Sequence, residues 1–247
     1  MSRYILADIK RIIRCVPYWI CMVLLVAYLI VKFIIGYLAG WNAITFQTTV
    51  SGFTAALPIF FGLFVFIVVF SVDIKAKTMQ VAIGTGLSRT EVVLSKFAEV
   101  CIVTVAGIFM FIVLTFMSAF VTGAGISASQ SVEILKYFLT AAIQIMGYNS
   151  IAMIILFATQ SALVGTLSYL ALSTYLVIIA LSFLLELKIF KGISFLSDYF
   201  FSELVIKAGI QFVLGTFNIG CYIGILAYIA GAVAVTVLLF RKRELEF

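Results

Sequence analysis

The sequence contains no histidine and few charges: Asp, Glu, Lys and Arg make up 11% of its 247 residues. Soluble domains carry about 25% charged residues, so this chain has too little polar surface to face water all round. Without histidine it lacks the commonest general base and the commonest metal ligand. Its acidic residues are scattered near the ends of apolar runs, with no paired Asp or clustered Glu in the sequence, which argues against a membrane-embedded protease or transferase. Cys15, Cys21, Cys101 and Cys221 form no CxxC pair and fall in or beside apolar runs. They read as small buried hydrophobes, not as metal ligands or disulfide partners. No GxxxxGK[ST] loop occurs, so Gly84-Thr85-Gly86 is not a nucleotide site. No catalytic residue, metal or cofactor is expected in this chain. No secretory leader is expected either, because the first residues are charged and amphipathic and no small-residue cleavage site stands out.

What the chain has is apolar sequence, 65% of all residues. A helix needs about 20 apolar residues to cross a bilayer. Runs at about 17–39, 53–72, 97–121 and 221–240 satisfy this. The apolar region 137–185 would make a rod of about 74 Å at ~1.5 Å per residue, more than twice the hydrocarbon core. It must therefore fold back, and the polar cluster 158–161 followed by Gly165 marks the turn. Spans at 137–158 and 163–185 result. The expected fold is an all-α integral membrane protein of six transmembrane helices, forming one domain over 1–247. Eleven of the sixteen basic residues flank one side: Arg3, Lys10, Arg11 and Arg14; Lys75, Lys77, Arg89 and Lys96; Arg241, Lys242 and Arg243. That side is expected to be cytoplasmic, with both termini on it. The net charge of +6 then points to the anionic inner leaflet and not to nucleic acid.

Four segments do more than span. Residues 2–15 form an amphipathic interfacial helix, with Ile5, Ile9, Ile12, Ile13 and Val16 on one face and the basic residues on the other. Pro17 marks the elbow into the first span. In 73–96, Asp73 or Ser71 caps a short helix to about Ile83. Gly84 ends that helix in the left-handed conformation, and Gly86 allows a second bend. Ser88-Arg89-Thr90-Glu91 is a capping box that starts the third span. Residues 186–220 are expected on the outer face as short interfacial or re-entrant helices, the alternative being a last span that starts near Val205. Lys32 lies in the outer half of the first span, where it either snorkels or lines a pathway. Lys96 and Glu99 make an i,i+3 ion pair at the inner boundary. Gly36/Gly40 and Gly220/Gly224 allow close helix packing at span ends.

Six spans, an amphipathic leader and a capped 73–96 loop together resemble the permease subunit of type-2 ABC exporters. In that family the loop often carries an acidic residue, a Gly-Thr or similar pair, a Pro-x-Ser-Arg turn and a Lys entering the third span. Here those positions read Asp73, Lys77-Thr78, Leu87-Ser88-Arg89 and Lys96-Phe97. Lys77 replaces the usual Gly, and Gly86 stands where Pro is common. The likeness covers the whole chain in topology and about 25 residues in motif. It implies a permease dimer with two cytosolic ABC ATPase subunits, which would hold the ATP and Mg. It also implies that Asp73, Lys77, Thr78, Ser88, Arg89 and Glu91 couple to the ATPase, with Gln160 in the short 158–165 turn beside them. An amphipathic or hydrophobic cargo, such as an antimicrobial-type peptide, is the expected load. The alternative is another six-span unit, such as the substrate-binding component of an uptake transporter.

Overall fold

The computed structural model describes residues 2–38, 40, 42–75, 78–186, 195, 197–216 and 219–242. Among the described residues the chain is helical, without strand. Helix α1 is Ser2–Arg14, α2 Val16–Leu38 and α3 Ala43–Phe66, which continues as a π-helical turn Ile67–Ser71. Two short helices come next, α4 Val72–Lys75 and α5 Thr78–Gly84. Then come α6 Arg89–Thr122, α7 Ala128–Thr159, α8 Ala162–Ser173, α9 Leu176–Glu186, α10 Phe201–Leu214 and α11 Ile219–Lys242. Helices α2, α3 with its π turn, α6, α7 and α11 are each long and apolar enough to cross a membrane. The chain is an all-α membrane protein, and α7 is its hub, packed on α3, α6, α8, α10 and α11.

Helices α3 and α7 begin well before their apolar runs, and caps explain why. Asn42 and Thr45 make a reciprocal capping box, so α3 starts at Ala43, ten residues before the expected 53. In the polar stretch after it, the Thr48 and Thr49 hydroxyls are satisfied on carbonyls one turn back. Ser127 and Gln130 do the same for α7, which starts at Ala128. Helix α6 starts at the expected Ser88–Glu91 box and ends on Gly123, which is left-handed at φ 63°.

The expected span 163–185 is interrupted. Helix α8 stops at Ser173, and α9 leaves it at 66°. Tyr169 near the end of α8 packs edge-on against Tyr148 of α7. Phe201, the first residue of α10, packs on the same Tyr148, and its ring occupies the space where a Cβ on Gly147 would sit. The Ser202 and Tyr148 hydroxyls are 2.7 Å apart. Helices α8 and α10 therefore reach one level of α7 from opposite ends. That level is near the middle of α7, eleven residues (about 17 Å) from its C-terminus. So α10, within the segment expected on the outer face, enters the bundle between α7 and α11.

Candidate functional site

The termini-bearing end of the bundle gathers α1, α4, α5, the start of α6 and the end of α11, and it carries the basic clusters. Helix α1 has three faces, not two. Arg3, Lys10 and Arg14 are exposed along one. Leu6 and Ile13 are exposed along an apolar second. Tyr4, Asp8 and Ile12, four residues apart, face the protein, with Asp8 and Ile12 buried.

Beneath that third face lies a buried ion network. The Lys96 side chain is fully buried, and its ammonium bonds the carboxylates of Asp8 and Asp73 as well as Glu99 Oε2, the last at 2.8 Å. The Arg11 guanidinium donates to Asp73 and stands 3.7 Å from Asp8. Nζ of Lys96 also lies 5.1 Å from the centre of the Tyr4 ring. Three helices thus meet through charge: α1 through Asp8 and Arg11, α4 through Asp73, and α6 through Lys96 and Glu99. A π turn adds one residue to a helical repeat, which swings the next helical residues by about 100° relative to α3. Directly after that turn, Asp73 points inward, with 0% exposure.

Desolvating each of these ions costs several kcal/mol, and only mutual pairing offsets it. Burial lowers the pKa of Arg11, but its hydrogen bond to Asp73 and the charges of Asp73, Asp8 and Glu99 outweigh this and raise it above its ordinary value. Burial pushes the Tyr4 phenol up to about 12, so it remains neutral. Asp8, Asp73 and Glu99 bring carboxylate oxygens within 4.8 Å of one another, the spacing of a cation site. The Lys96 ammonium bonds all three and takes the place such a cation would fill.

The expected coupling residues divide between the interior and the surface. Asp73 is interior and offers nothing to an external protein. Lys77 and the side chain of Thr78 lie outside the described residues. Ser88 and Glu91 form the capping box, with Glu91 accepting from the Ser88 amide at 2.9 Å. Arg89 turns back onto α11, donating to the carbonyls of Phe240 at 3.0 Å and Arg241 at 3.1 Å, over the Phe240 ring. It thereby caps a helix C-terminus with positive charge. Gln160 is the left-handed C-cap of α7 (φ 53°), its N–H bonded to Leu156. Lys32 is exposed on α2 beside the Tyr28 ring, away from the ion network.

Between α5 and α6 the left-handed residue is Gly86 (φ 101°), not Gly84, which is still helical. The amide of Leu87 bonds Ala82 and that of Gly86 bonds Ile83, the paired closure of a Schellman turn. Met79 faces inward, whereas Val81, Gly84, Thr85 and Gly86 are exposed at the tip. The result is a short, closed projection with ionic roots and a tip that carries no charge among its described residues.

Sequence reasoning missed Asp8, Tyr4 and Arg11 as one set. The available signal was a single acid in an otherwise basic leader, spaced i, i+4, i+8 with Tyr4 and Ile12. Glu99 and Lys96 do pair, but as part of a five-ion cluster. No protein-family model matches the chain, and no curated protein matches it at a significant level.

Proposed function

We propose that this chain is the membrane-spanning subunit of an ATP-driven exporter. It works as a permease dimer with two separate cytosolic ATPase subunits, in the cell membrane, with both termini in the cytoplasm. The observation that carries this reading is the closed α5 projection and its bracing. Its tip is small and exposed, while its roots are fixed to α1 through Asp73 and to α6 and α11 through the Ser88 cap and Arg89. A loop that only joins two spans needs no such fixing. A projection that transmits force must move helices without bending, and coupling between sites is carried by stiff two-state elements. Val81, Gly84, Thr85 and Gly86 are the contact surface for the ATPase. ATP and Mg belong to that partner. The cargo is amphipathic or hydrophobic, of the antimicrobial-peptide type.

The test is affinity purification of the tagged full chain from its native membrane. The expected result is an ATPase subunit in the eluate and no ATP hydrolysis by the chain alone. ATP turnover by the pure chain would overturn the reading. A stable, ligand-binding chain that retains no ATPase would favour the uptake-component alternative.

A further inference from the structure

A cavity of about 550 Å³ opens beside the interruption between α8 and α9, with α10 along one side. Its polar lining comes from Ser51 and Thr54 of α3, from Tyr137, Thr140 and Gln144 of α7, and from Tyr175 at the break. Ile206, Gly209 and Ile210 of α10 form an apolar wall. Gln144 stands at the midpoint of α7, with sixteen residues before it and fifteen after. An amide at mid-membrane is costly unless something there is polar. Irregular backbone at that depth is tolerated only where protein or a cavity receives it. Tyr175 is left-handed at φ 62°, a strained conformation for a non-glycine residue that gathers at ligand sites. Its hydroxyl lies 3.4 Å from the Gln144 amide nitrogen, which joins the break to α7.

The chemistry of the lining selects a ligand. Among the described residues that line it, none carries a charge. An ion entering here would lose its hydration and meet no counter-charge, which weighs heavily at membrane depth. The Thr54 and Thr140 hydroxyls donate to carbonyls of their own helices and keep acceptor lone pairs. Gln144 supplies both N–H and C=O, and the tyrosines supply O–H. The polar residues thus offer both donors and acceptors and α10 adds aliphatic surface, within the volume range of small-molecule sites.

We infer that this cavity is a binding site for an uncharged, amide- or hydroxyl-bearing group carried on an apolar chain. A peptide backbone segment and a polyol headgroup share that chemistry. The inference deepens the transport reading by naming the cargo group. Its test uses no ATPase, so a failed ATPase pull-down and a failed binding result remain separate.

The full chain in lipid nanodiscs is photolabelled with four probes that share one diazirine-bearing octyl tail. Their heads are N-methylamide, glucoside, trimethylammonium and sulfate. The expected result is labelling of peptides containing Thr54, Gln144 or Ile206 by the neutral heads, about tenfold above the charged heads. The stronger of the two neutral probes identifies the source of the ligand. Gln144→Leu should reduce neutral-head labelling several-fold, and Gln144→Glu should shift preference to trimethylammonium. Equal labelling by all heads, preference for a charged head, or no labelling at these peptides would overturn the inference. So would unchanged labelling of Gln144→Leu.

Discussion

At the scale of single residues, Lys96 is the most consequential side chain in the molecule. It is fully buried and bonds three carboxylates, which Arg11 alone could not balance. Removing one partner of a buried ion pair costs about 3–5 kcal/mol, because the abandoned charges stay in low dielectric. Lys96→Met should therefore lower the melting temperature of the detergent-purified protein sharply or abolish its recovery. Adding Glu99→Leu to Lys96→Met removes one of the abandoned carboxylates and should restore part of the loss, since apolar replacement of a buried pair is often neutral. Equal melting of parent and Lys96→Met would show that the ammonium is not the centre of the cluster. Asp73→Asn should be intermediate, because the amide still accepts from Arg11 but loses its charge. Asp73 could be picked out in the sequence as a special residue, but its direction could not. Its inward aim depends on the π turn at Ile67–Ser71, and nothing in the apolar run Ile-Val-Val-Phe announces an extra residue in the helical repeat.

At the scale of elements, the joint between α5 and α6 separates two jobs that sequence reading had merged. Ser88, Glu91 and Arg89 look alike as polar residues of one turn. In the fold, the first two cap α6 and the third caps α11. Ser88→Ala with Glu91→Ala removes an N-cap worth about 1 kcal/mol, so membrane expression should stay near parental while the joint frays. Arg89→Glu should cost more, about 2 kcal/mol, because it loses charge-assisted bonds to two carbonyls and places a negative charge at the negative end of α11. Faster hydrogen exchange at the amides of 236–240 in Arg89→Glu, but not in the Ser88/Glu91 variant, would mark this division. Identical exchange in both variants would refute it. The exposed tip behaves differently. Val81→Asp should leave melting unchanged and weaken retention of the ATPase at least several-fold. A parental level of retention would move the contact away from α5.

For the whole molecule, periodicity and caps revealed more than chemistry did. Apolar runs located every long helix, because crossing a bilayer demands about 20 apolar residues wherever the chain does it. They misplaced the starts of α3 and α7, since apolarity ends at the hydrocarbon boundary while a capped helix runs on. They also passed over the break at Ser173–Tyr175, where the polar pair Ser173-Thr174 interrupts the apolar run for too few residues to lower its average. The ion network was illegible for another reason: Asp8, Asp73 and Glu99 are far apart in sequence, and they meet only where α1 and α4 both dock on α6. Orientation is where sequence and fold combine into one test. The basic clusters of α1, α6 and α11 gather at one end of the bundle, while Asn42, Ser127 and Glu133 stand towards the other. Cytoplasmic flanks attract lysine and arginine, so the expected orientation has α5 inside the cell and the α6–α7 turn outside. Thiol labelling in a background lacking Cys15, Cys21, Cys101 and Cys221 can read this from three exposed positions. Ile44→Cys and Ala128→Cys should react with a membrane-impermeant maleimide added to intact cells. Val81→Cys, 65% exposed at the opposite end, should react only after permeabilisation. Reaction of Val81→Cys in intact cells, with protection of the other two, would invert the protein in the membrane. The α5 tip would then be beyond reach of any cytosolic ATPase, and the exporter reading would fall with it.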